Sequence, residues 1–117
     1  MANGTASSVN KDLNDLHDML IAANEQLSKS LDTITDPDLA QAVVTEMREV
    51  VHRIDLVQSL LFTAASNRLS VAVARVRDAK TALTTALSQI ADVTSLVKNV
   101  TSFLGLADKV IDLAKVL

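Results

Sequence analysis

Residues 81–107 read TALTTALSQIADVTSLVKNVTSFLGLA and carry only two charges, Asp92 and Lys98. In the longer span that contains them, Leu69, Val73, Val76, Leu83, Leu87, Ile90, Val97 and Leu104 recur at steps of three and four. Only Lys80, Thr94 and Thr101 interrupt the row. That period is one face of a helix, and it predicts a helix over about 68–104. The opposite face is regular too, with Thr81, Thr85, Ser88, Asp92, Ser95, Asn99 and Ser102 stepping by three and four. A stripe of short hydroxyl side chains lets another backbone approach closely and costs less to desolvate than a Lys/Glu face. The stretch therefore reads as a hub helix with partners on more than one side, the competing reading being a surface helix poor in charge.

Working outward, the rest of the chain repeats the helical period. Leu13, Leu16, Leu20, Ala23, Leu27 and Ile34 step at heptad positions, with Ser7 or Ser8 as the expected cap and Asp12 placed to suit the helix dipole. Thr35-Asp36-Pro37-Asp38 is a helix start: Asp36 can cap, and proline at the first helical position sacrifices no hydrogen bond. From there Leu39, Val43, Met47, Val50, Ile54, Val57, Leu61 and Ala64 form the next row. The apolar set then restarts at Leu69, a step of five that no heptad shift absorbs, so a turn is expected at Ser66 and Asn67. A continuous, domain-swapped helix is the alternative. Gly105 reads as a helix end, followed by a short amphipathic helix through Leu106, Val110, Leu113 and Leu117.

These readings predict an all-α, elongated antiparallel bundle of three long helices and a short C-terminal one, over about 8–33, 37–65, 68–104 and 106–116. Residues 1–6 form a frayed tail, and 7–117 form one domain. Composition agrees: two glycines and one proline leave little material for hairpin turns, and the core must be built from Leu, Val, Ile and Ala because Phe62 and Phe103 are the only aromatics. The apolar pattern still runs at Leu117, as in a tail docked on a partner or a domain cut from a longer chain.

Charge and missing residue types narrow the function. No cysteine means no disulfide or thiolate metal site. Residues 1–40 hold seven acids against Lys11 and Lys29, a balance of −5 within a net −3. An acidic chain without aromatic platforms is a poor nucleic-acid binder. The start MANGTASS has no secretory pattern, and no long apolar run is free of polar interruption, so a cytoplasmic protein without a spanning helix is expected.

No Gly-flanked nucleophile or phosphate-cradling loop is present, and neither an enzyme nor a cofactor is expected. Glu49-x-x-His52 has the spacing of bundle metal sites and, with Glu25, Asp18 and His17, is the weak metal candidate. It lies outside the apolar row, where Glu49 and Arg53 form an i, i+4 ion pair more readily. Arg68, Arg75, Arg77 and Lys80 make one basic cluster, expected to pair with the acidic first helix.

Met19, Ile21, Val51 and Leu60 are apolar residues beside the main rows, too many for a three-helix seam, and they predict a homodimer or other homo-oligomer. The expected interface residues are Ile21, Val51, Leu60, Thr85, Ser88, Ser95, Leu106, Val110 and Leu113. The function expected is a non-enzymatic interaction or oligomerisation module, the helical adaptor part of a larger assembly with itself or another protein as partner. The alternative is a membrane-active bundle that inserts its third helix and tail into lipid, and a weaker one is a metal-binding dimer.

Overall fold

The computed structural model describes residues 9–90 and 92–117 and shows an all-α bundle of four helices: α1 (Lys11–Ser30), α2 (Pro37–Gln58), α3 (Asn67–Leu87) and α4 (Val93–Lys115). They run 20 to 23 residues, each about 30–35 Å at 1.5 Å per residue. The expected frayed tail lies outside the described residues.

Each helix starts on a polar side chain that accepts a hydrogen bond from a first-turn backbone N–H, which would otherwise lack a partner. Asp36 Oδ1 accepts from Asp38 N at 2.9 Å, ahead of Pro37. Ser66 Oγ accepts from Arg68 N at 3.2 Å, so the junction before α3 is a turn. The cap of α1 is Asn10 in place of Ser7 or Ser8, its Oδ1 accepting from Leu13 N at 3.1 Å.

The largest departure from the sequence reading is in the opening stretch. The single long helix over 68–104 is two helices, separated by residues 88–92 and restarted by Asp92, whose Oδ1 accepts from Ser95 N at 2.8 Å. The reason is phase. α3 buries Leu69, Val73, Val76, Leu83 and Leu87, whereas α4 buries Leu96, Val100, Phe103, Leu104, Ala107, Val110, Ile111 and Ala114. Leu87 and Leu96 are nine positions apart, two and a half turns at about 3.6 residues per turn, so a continuous helix would point the two rows in opposite directions. Val97, assigned to the buried row from its spacing, is 38% exposed. Gly105 sits in the middle of α4, so the short fourth helix expected from 106 is the second half of a full-length one. No helix is a central hub.

α1 packs against α2 and α3, and α4 packs against α3 and α2, which places the helices at the corners of a square with α1 opposite α4. Asp12 meets Ser70 and Asp15 meets Arg77, so α1 and α3 are parallel neighbours; Arg53 meets Asp108, so α2 and α4 are as well. Residues 59–66 therefore cross the end of the bundle diagonally. Asn10 ties this crossover down: its N–H donates to Leu61 O at 2.6 Å and its Nδ2 to Thr63 O at 2.8 Å. One core of Leu, Val, Ala and Phe103 runs between the four helices.

Candidate functional site

The core of α2 contains one acid. Glu46 follows Leu39 and Val43 on the inward row and is only 7% exposed. Burial raises its carboxyl above the ordinary value, the neighbouring charge of Glu49 raises it further, and Arg53 pulls it partly back. Two turns on, Arg53 donates from Nε to Asp108 Oδ1 at 2.8 Å and from Nη2 to Asp108 Oδ2 at 3.0 Å. Its Nη1 donates to Glu49 O at 3.0 Å and to Glu49 Oε1 at 3.3 Å, which is the i, i+4 pair expected from the spacing. The hydrogen bonds from Arg53 to Asp108 hold the guanidinium above its ordinary value against the cost of burial. Arg53 and Asp108 hold α2 to α4, and the geometry of that pair is that of a structural clasp.

The metal candidates do not converge. Glu49 and His52 face solvent on α2, and Glu25 faces solvent on α1. Among the described residues no group of three or more His, Asp or Glu is placed to hold a metal ion.

Within the described chain no other helix covers the hydroxyl stripe. Thr85, Ser88 and Ser95 are exposed. The hydroxyls of Thr84, Thr85 and Ser88 donate back to carbonyls of the preceding turn, Lys80 O at 2.9 Å, Thr81 O at 3.3 Å and Thr85 O at 2.6 Å, so these three are satisfied within α3. Val110, expected at an interface, is wholly buried in the chain's own core. Ile21 and Leu60 are half-buried, and Leu60 packs on the core.

Part of the exposed apolar surface lines two grooves on opposite faces of the square. Between α1 and α2 a groove of about 370 Å³ is lined by Leu31, Val44, Met47 and Val51, with Asn24 and Arg48. Val44 and Val51 are 37% and 42% exposed, and the Oδ1 of Asn24 is buried there without a hydrogen-bond partner among the described residues. Between α3 and α4 a groove of about 380 Å³ has a floor of Val71, Ala72, Leu106 and Leu113. Arg68, Arg75 and Lys109 stand around it. Among the described residues none of these three cations has an acid within salt-bridge distance, in contrast to Arg77, which reaches Asp15 at 3.3 Å.

Sequence reasoning had marked Val51, Leu106 and Leu113, which do line the two grooves, but it did not find Val71 or Val44. Both fall off the main rows yet lie on exposed positions of their helices, and an apolar residue off the row was the available signal. No helix is long and apolar enough to cross a membrane among the described residues. Comparisons with protein-family models, with curated proteins and with solved structures returned no match. The functional reading therefore rests on these surfaces.

Proposed function

We propose that this chain is a non-enzymatic helical interaction module that self-associates through the outer face of α2. The observation that carries this reading is the row Val44, Arg48, Val51 and Asp55, which steps by four, three and four along one exposed stripe. Its two apolar members flank Arg48, and neither Arg48 nor Asp55 has a salt-bridge partner among the described residues. The row is self-complementary. Two copies crossing antiparallel about an axis beside the Val51–His52 peptide bring Val51 against Val51 and place Arg48 of each copy opposite Asp55 of the other. Such a contact closes with two-fold symmetry. Leu31 and Met47 extend the apolar patch.

Light scattering on the full chain after size exclusion tests this reading. A dimer is expected, weakened about tenfold or more by Val51→Glu, a change of at least about 1.4 kcal/mol. Arg48→Glu should weaken it as well, and adding Asp55→Lys to that variant should restore it. A monomer at all concentrations, or a dimer indifferent to Val51→Glu, overturns the proposal.

The membrane-active reading would need the bundle to open, because the Leu, Val and Phe rows of α3 and α4 face each other in the core. The metal-dimer reading draws no support from the outward, separated positions of Glu25, Glu49 and His52.

A further inference from the structure

The second groove, between α3 and α4, has a rim that no other part of the chain answers. Its long axis follows Arg68 to Arg75 on one side and Leu106 to Leu113 on the other, each seven residues, or about 10 Å and two helical turns. We infer that this groove binds an amphipathic helix of another protein, one whose apolar stripe is flanked by Glu or Asp. This goes beyond the self-association proposed above and uses the opposite face of the bundle.

Two observations select that occupant. The first is charge: Arg68, Arg75 and Lys109 surround the apolar floor of Val71, Leu106 and Leu113, and none is neutralised within the described chain. A second copy docked groove to groove would set these cations against their own equivalents, so an isologous contact is repulsive here. The second is a template inside the molecule. On its other flank α3 already carries an acidic helix, α1, held by Ser70 Oγ donating to Asp12 at 2.7 Å and by Arg77 reaching Asp15 at 3.3 Å. Ser70 and Arg77 are seven residues apart on that flank, as Arg68 and Arg75 are on the open one. An incoming helix with apolar anchors at i, i+3, i+4 and i+7 would fill two turns of groove and place its acids on the unused arginines.

The test uses the full chain and a synthetic amphipathic peptide of about 18 residues, with leucines at i, i+3, i+4 and i+7 and glutamates on the remaining face. Its controls are the same peptide with lysines for glutamates, and vesicles of phosphatidylglycerol. The glutamate peptide should bind, shift the amide resonances of residues 68–75 and 106–113, and weaken as salt rises. Arg75→Glu with Lys109→Glu should reduce its affinity at least tenfold while circular dichroism stays unchanged, since both side chains are exposed. Equal binding of the lysine peptide, binding that ignores the charge reversals, no peptide binding, or binding to the anionic vesicles in place of the peptide overturns the inference. Self-association is read separately: Val51→Glu should leave peptide binding intact, and the groove variants should leave the dimer intact.

Discussion

Arg53 on α2 and Asp108 on α4 form a two-pronged clasp, Nε to Oδ1 at 2.8 Å and Nη2 to Oδ2 at 3.0 Å, across the seam between α2 and α4, one of the two that join parallel helices. The guanidinium side chain is 16% exposed and the carboxylate 44%. Asp108→Ala leaves Arg53 charged and poorly hydrated, and after allowing for solvent screening of the half-exposed carboxylate it should cost about 1–2 kcal/mol. Urea unfolding measures this. The double variant Arg53→Met, Asp108→Leu should recover most of the loss, because a buried pair owes much of its apparent worth to the partner left behind.

Glu46 sets a pH dependence of definite sign. Its carboxyl is raised in the folded chain by burial first and by Glu49 second, so the folded state holds the proton more tightly than the unfolded one. Stability therefore falls as pH rises from the ordinary value of 4.5 toward the higher folded value, and the penalty is complete above it. Glu46→Gln should remove this slope. Thermal unfolding at pH 7 should then show a higher midpoint than the parent, with the two converging below pH 4.5.

Asn10 combines two roles that substitution can separate. Its Oδ1 caps α1 and its Nδ2 holds the carbonyl of Thr63 in the crossover. Asn10→Ala should cost about 2 kcal/mol in chemical unfolding. Asn10→Asp keeps an acceptor for Leu13 N–H but cannot donate to Thr63, and should recover about 1 kcal/mol of that loss.

Gly105 distinguishes one long α4 from a helix ending there. It is exposed, it lies within Val93–Lys115, and a Cβ built on it meets nothing within 4 Å. Gly105→Ala should stabilise by about 0.5–1 kcal/mol, through helix propensity and a less free unfolded chain. A loss of stability, as expected at a helix terminus, would contradict the continuous α4.

The apolar rows of α1 and α2 and the start of α3 were legible because Leu13 to Leu27, Leu39 to Val57 and Leu69 to Leu87 keep one phase and are bounded by Asp36-Pro37 and Ser66. The α3–α4 break was legible only by the same phase test applied once more: Leu96, Val100, Phe103 and Ala107 form a row half a turn away from Leu87. A second path through Val97 and Leu104, with threonines as gaps, matched the helix period well enough to hide it. The turn carries no Gly or Pro, and its only marker is Asp92, a residue equally at home on a helix surface. Glu46 was passed over because a carboxylate on an inward row is unfavourable; Arg53 offsets its burial only in part, and Arg53 is itself held by Asp108, 55 positions away. The grooves were partly legible, as apolar residues in excess of one seam. Their separation onto opposite faces depends on the square arrangement, which periodicity does not specify.

The diagonal passage of residues 59–66 has a consequence for assembly. Each antiparallel hairpin, α1 with α2 and α3 with α4, closes over a short stretch of chain, whereas the parallel seams bring together segments more than fifty positions apart. Local closure is fast and distant closure slow, so the two hairpins are the natural halves of the molecule, and their mating is the late event. Nicking the backbone near the exposed Phe62 should leave two pieces able to find each other again, a property that a bundle with all neighbours consecutive in sequence would owe to no particular point on its chain.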